Sequence, residues 1–297
     1  MRPLLDLYLE LDNLISIEQY EKTLKEFVKL WGNDIHIFTN NINNVNKLEE
    51  FLNILKELDL NTYSFIDGGL TNKFSYIDEK NISTLEKYGV NALGIIINEK
   101  LINEKKYINF INKILLTKLK LEVYFKVDEN NVAFMDDVIA FCIKNNIKLC
   151  IIDIDKNSND RICKERYREI VEKLLKINDE KKIKISIFEC PYINIFRENI
   201  LNIMGGCSAG ITACLIDKEG YVVPCMYLKN IKIGNIKENS LENIWNSETL
   251  LKLANRDNIS GKCSRCKYIK ACGGCRAESY FKSKDLFKED YNCWVEI

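Results

Sequence analysis

The sequence predicts an α/β chain: a partial, TIM-like (β/α)6–7 barrel followed by a small cysteine-rich domain. Three observations predict it. Apolar runs of strand length alternate with helical patterns from residue 4 to about residue 200, and such alternation builds right-handed crossovers and a parallel sheet. The 297 residues suffice for one large core and a smaller unit beside it. Eight of the 12 cysteines fall between Cys207 and Cys293. The expected division is therefore 1–203 and 204–297.

Residues 4–11 read as the first strand. Ser16 and Gln19 form a capping-box signature. Behind it Ile17, Tyr20, Leu24, Phe27, Val28 and Trp31 mark one helical face. Residues 34–38 form the next strand, and Val45, Leu48, Leu52, Leu55 and Leu58 the buried side of the next helix. Further strands are expected at 62–66, 92–97, 120–127, 148–153 and 183–188, with helices near 82–88, 103–116, 131–146 and 161–178. Asp67-Gly68-Gly69 after the third strand reads as a tight turn rather than a phosphate cradle.

Composition excludes several function classes. A content of 46% hydrophobic and 29% charged residues is that of a globular protein. Lys+Arg and Asp+Glu are both 43, which argues against a nucleic-acid partner gripped through phosphates. The first residues carry acids inside a short apolar run, so no signal peptide is expected, and no apolar stretch reaches membrane-spanning length. A cytoplasmic location and no membrane partner follow as expectations. His36, the single histidine, sits mid-strand and reads as structural. Cys142, Cys150, Cys163 and Cys190 read as small buried hydrophobes. Asp136-Asp137 reads as a solvated helix face. Asp153 and Asp155, at a strand's C-terminal end where barrel sites form, are the candidates for a residual site.

The tail runs Cys207-x6-Cys214, Gly220-x4-Cys225, Cys263-x2-Cys266-x5-Cys272-x2-Cys275 and Cys293. Eight thiols make two sets of four. Four thiolates satisfy a cubane iron–sulfur cluster, one per iron, and equally a tetrahedral zinc. Few apolar residues interrupt 263–275, so metal–thiolate bonds would supply the order that packing does not. Paired Cys-x-x-Cys in a chain with no export signal points to metal rather than disulfides.

With Gly220, Pro224, Gly234-Asn235-Ile236, Leu241 and Trp245, this stretch resembles the SPASM domain, the C-terminal extension of many radical S-adenosylmethionine enzymes. The resemblance covers about 204–295 and implies two auxiliary [4Fe–4S] clusters. Cys207, Cys214, Cys225 and Cys275 would hold the first, and Cys263, Cys266, Cys272 and Cys293 the second. It also implies the barrel-like fold of the front half. That family carries Cys-x3-Cys-x2-Cys after its first strand, which binds and cleaves S-adenosylmethionine. Here only 12–15 join strand to helix, and no cysteine precedes Cys142. The Gly-Gly-Glu-Pro that usually follows the second strand is replaced by Phe38-Thr39-Asn40-Asn41. Met1 and an intact first strand imply a lost loop rather than a truncated N-terminus. S-adenosylmethionine is therefore not expected as a cofactor. The expected function is a non-catalytic accessory of peptide modification, binding a precursor peptide or an active radical S-adenosylmethionine enzyme. The alternatives are an electron-transfer protein with two clusters and a zinc-stabilised interaction module.

Overall fold

The computed structural model describes residues 2–39, 42, 45–66, 79–180, 183–196 and 205–297. Strand β1 (Asp6–Glu10) leads through α1 (Ile17–Lys29) to β2 (Asp34–Thr39). The alternation continues through α2 (Leu48–Glu57), β3 (Asn61–Ile66), α3 (Glu79–Lys87) and β4 (Ala92–Ile97). It closes with α4 (Lys105–Leu115), β5 (Lys120–Val127), α5 (Met135–Lys144), β6 (Leu149–Ile154), α6 (Lys164–Asp179) and β7 (Lys184–Ile187). Strands β1 to β7 pair in chain order, and every pairing is parallel. The predicted seven strand positions are all met, to within two residues at each end.

Four expectations are corrected. Val28 is 38% exposed and Trp31 72%, because α1 ends at Lys29 and Trp31 turns away with φ of 73°. The capping box is half made: Ser16 Oγ accepts the Gln19 N–H at 3.2 Å, but the Gln19 amide reaches Ile236 O instead of the cap. The helices predicted near 103 and 131 begin later, each preceded by a 3-10 turn, at Leu101–Asn103 and Val132–Phe134. Cys163 is exposed, as the residue before α6, where the chain is still extended. Cys142, Cys150 and Cys190 are buried as expected. Asp67-Gly68-Gly69 and Asn40-Asn41 lie outside the described residues.

Alternation along each strand sends successive side chains to opposite faces. Leu7, Leu9, Ile35, Ile37, Val123, Phe125 and Ile152 join one large core with Leu24, Phe27 and Val138 of the covering helices. Each such burial stabilises by about 1.5–3 kcal/mol. The other face carries rings. Tyr8, His36 and Tyr63 are cross-strand partners, and their rings stack at 4.6 and 5.0 Å. His36 Nε2 also lies 3.4 Å from Asp6 Oδ1. Tyr124 and Ile151 form a second cluster with Phe38, Ile96 and Phe188. His36 is thus a stacked structural residue, as its position in the strand implied.

The tail adds β8 (Ala213–Ile216), β9 (Tyr221–Val223) and β10 (Gly234–Asn235) to the same sheet. β8 pairs parallel with β1, and β9 and β10 follow antiparallel, giving the order β10-β9-β8-β1-β2-β3-β4-β5-β6-β7. Helices α7 (Leu241–Trp245), α8 (Glu248–Ala254) and α9 (Arg276–Ser283) complete the chain. The Arg2 guanidinium lies 4.0 Å from the Trp245 ring centre and donates to Trp245 O, while Trp245 Nε1 returns a bond to Arg2 O at 3.1 Å. The N-terminal segment is thereby clamped to α7 of the tail. The predicted boundary at 203/204 lies outside the described residues. Among the described residues no helix is long and apolar enough to cross a membrane.

Candidate metal centre

Cys214, Cys272, Cys275 and Cys293 belong to the large core, and among the described residues no three His, Cys, Asp or Glu side chains converge tightly enough to hold a single metal ion. Cys207 N–H donates to Cys272 O at 3.1 Å, so the early and late cysteine segments touch backbone to backbone. Gly206 makes that approach feasible: its φ is 81°, and an added Cβ would lie 1.9 Å from Cys272 O. Cys214 stands on β8 and Cys225 follows β9. Cys275 caps α9, and its N–H donates to Asp290 Oδ2 at 2.6 Å. Asp290, fully buried, also accepts from the Tyr192 hydroxyl and from Asn292 N–H. Six of the eight tail cysteines are buried, and Cys225 and Cys266 are half-buried.

Burial chiefly raises Cys225 and Cys275 above the ordinary thiol range, with Glu189 and then Cys207 adding to it at Cys225 and Cys207 at Cys275. Cys263 and Cys293 act in the same way on Cys272, and Cys263 on Cys293, which burial chiefly pushes up to about 11. Burial pushes Cys214 up to about 12, opposed by Arg2. Thiols raised in this way ionise only beside added positive charge, and a metal supplies it. Within the second group, Asp290 N–H reaches Cys263 Sγ, Gly274 N–H reaches Cys272 Sγ and Val295 N–H reaches Cys293 Sγ, each at 3.4 Å. Backbone donors aimed at sulfur are the supporting shell that thiolate centres use.

Buried cations complete the shell. Arg2 Nε, Lys156 Nζ, Arg256 Nε and Nη1, and Arg276 Nη2 are buried without a hydrogen-bond partner among protein atoms. Each lies near a tail cysteine: Arg2 beside Cys214, Lys156 beside Cys275, Arg256 beside Cys207, Cys272 and Cys263, and Arg276 beside Cys263. Buried donors left idle are costly. An anionic thiolate-bound cluster would use them, so the donor set fits that group.

The residual-site candidates separate. Asp153 is 1% exposed, accepts from the Tyr227 hydroxyl and lines a cavity of about 900 Å3. Asp155 pairs with Lys126 Nζ at 3.0 Å. The cavity is bounded by Leu11 and Asp12 after β1, Phe38 and Tyr124 on the sheet, and Tyr227 and Phe281 of the tail. Asp136 is solvent-facing and pairs with Lys173 at 2.6 Å, so the Asp136-Asp137 reading holds at Asp136.

Two solved structures share the fold. Streptococcus suis SuiB bound to S-adenosylmethionine matches with a TM-score of 0.74 at 16% identity, over 99% of this chain and 76% of SuiB. SuiB bound to its precursor peptide SuiA matches with a TM-score of 0.74 at 15% identity, over the same shares. Residues 207–276 match the model of the SPASM family, an iron–sulfur cluster-binding domain. The chain carries a SPASM domain in its tail. The AdoMet-dependent heme synthase of Methanosarcina barkeri (strain Fusaro / DSM 804) is 29% identical over 153 residues, 46% of this chain. The match spans 44% of that relative's length. The matched SPASM segment contains seven of the eight tail cysteines, with Cys293 beyond it.

Sequence reasoning missed Lys156, Glu189, Arg256, Arg276 and Asp290. Lysine side chains are ordinarily solvent-facing, so nothing at 156 marks burial. Arg276 directly follows a cysteine, and that adjacency was the one available signal.

Proposed function

We propose that this chain binds two [4Fe–4S] clusters and serves peptide modification as an accessory protein, holding a precursor peptide or partner enzyme without cleaving S-adenosylmethionine. Cys207, Cys214, Cys225 and Cys275 hold the first cluster, and Cys263, Cys266, Cys272 and Cys293 the second. The clusters supply one-electron storage when bound. The chain's own part is to present thiolates, aim N–H donors at them and keep water out. Two units, 1–203 and 204–297, carry the barrel and the clusters.

One observation carries the reading. Beside the cavity β1 passes to α1 through 11–16 alone, a stretch with no thiol, while the tail carries eight. The chemistry of S-adenosylmethionine cleavage needs a cluster with an open iron, and three further thiolates would have to hold it. The cavity then remains as a binding site. Its volume of about 900 Å3, with aromatic walls and both charges, suits a peptide segment. The structural relative SuiB has been solved with a precursor peptide.

The test is an anaerobic reconstitution followed by incubation with S-adenosylmethionine and a strong reductant. The reading expects no 5′-deoxyadenosine above the protein-free control. Turnover would overturn it.

A second reading is an electron carrier, favoured by the second cysteine group. Half-buried Cys266 sits among Lys262, Arg265, Lys267 and Lys270, and 261–270 holds no acidic residue. Such an edge suits a small acidic redox partner. If the R265E/K267E double variant exchanges electrons with such a partner as fast as wild type at low salt, this second reading fails.

A further inference from the structure

Among the described residues Lys156 is the most deeply buried cation of the barrel half, 2% exposed, in the loop after β6. Burying an ammonium is expensive unless its donors are used. Those of Lys156 are not: Nζ has no hydrogen-bond partner among protein atoms. Its nearest described contact is the face of Tyr227, 4.3 Å from ring centre to Nζ. The surrounding acids are already engaged. Asp153 accepts from the Tyr227 hydroxyl, Glu189 from Ser208 Oγ at 3.3 Å, and Glu278 pairs with Arg161 at 3.3 Å.

Geometry sets it against the tail: the Tyr227 ring it faces lies two residues after Cys225, and Arg161, which donates to Lys156 O at 3.0 Å, pairs with Glu278 three residues after Cys275. Cys225 itself shares a small void with Glu189, Ser208 and Tyr8. A loop residue of the barrel thus packs against Tyr227 of the tail segment that carries Cys225. Asp153 and Tyr227, which flank it, also line the large cavity.

We propose that Lys156 is a positioning residue of the first cluster: its idle ammonium donates to a sulfur of that cluster and makes it easier to reduce. This rests on the reading that Cys207, Cys214, Cys225 and Cys275 hold one cluster. Cluster potentials are set by hydrogen bonds to sulfur, nearby charge and solvent exposure. A desolvated cation in contact favours the extra electron. Because Asp153 and Tyr227 tie Lys156 to the cavity wall, a ligand in the cavity that moves them would also move the potential of the first cluster and leave the second unchanged.

The experiment uses the full chain, reconstituted anaerobically, as wild type, K156M and K156R. Iron and sulfide are counted first, and a wild type without iron sinks the two-cluster reading itself. With both clusters present, EPR-monitored redox titration should show one midpoint moved to more negative potential in K156M and the other unmoved. K156R should recover most of the shift. Full iron with both midpoints at their wild-type values overturns the inference. Wild-type protein labelled with 15N-lysine gives a readout that needs no variant. Pulsed EPR of the reduced first cluster should detect a lysine nitrogen within hydrogen-bond reach, and its absence overturns the inference as well.

Discussion

The two proposed groups of sulfurs sit in different surroundings. Around Cys207, Cys214, Cys225 and Cys275 the protein relies on depth and charge: Cys214 and Cys275 are 0% and 5% exposed, and Arg2 and Lys156 press in from the barrel half. Around Cys263, Cys266, Cys272 and Cys293 it relies on the backbone, with three N–H groups aimed at three sulfurs. The first group draws part of its shell from Arg2 and Lys156 of the barrel half. The second draws its shell almost wholly from 256–295. The difference teaches that one pocket depends on the barrel being folded, and the other on a loop that metal itself would order.

The largest expected effects separate the groups outright. Cys275→Ala should remove the first cluster and Cys272→Ala the second, each cutting bound iron by about half. Iron analysis with EPR reads this, and loss of the same cluster in both variants would dissolve the proposed division. Asp290 touches both groups, accepting from Cys275 N–H and donating its own N–H to Cys263 Sγ. Asp290→Ala leaves buried donors unpaired and should cost about 2–4 kcal/mol in denaturant unfolding, loosening both clusters. Gly206 joins the groups through the Cys207–Cys272 contact, at a φ of 81°. Gly206→Ala should cost about 1–3 kcal/mol and slow cluster loading at both sites, read by the rise of visible absorbance during reconstitution.

The smallest effect is a control on the barrel. Burial holds the Glu122 carboxyl above its ordinary 4.5, opposed by His36, Lys184 and Lys120. A raised carboxyl favours the protonated fold. Its contribution is therefore full below the ordinary pKa and lost as pH climbs through the raised value. Glu122→Gln should stabilise the fold at neutral pH by about 1 kcal/mol or less, flattening the pH profile above roughly pH 4.5, with neither cluster disturbed. A change in either EPR signal would show that the barrel face and the clusters are coupled in a way the geometry does not contain.

Much of this was legible in the sequence, for physical reasons. Strand β5 at Lys120–Val127 and β4 at Ala92–Ile97 coincide with their predicted bounds, because continuous apolar runs between helical patterns have one reading in a parallel sheet. The eight cysteines were visible by spacing alone. Trp31 was misplaced because helical periodicity does not say where a helix stops. The pairing of β8 with β1 spans about two hundred residues, and no local pattern encodes it. Lys156 and Asp290 were illegible for a related reason: their burial follows from what surrounds them in space, and a charged letter in a loop ordinarily means solvent.

The most direct measurement is a combined iron, sulfide and Mössbauer count on anaerobically reconstituted full chain. The account predicts about eight irons and eight sulfides per chain, in two fully ligated cubes with no site-differentiated iron. A third cube with one open iron, or a colourless protein holding zinc, would contradict it.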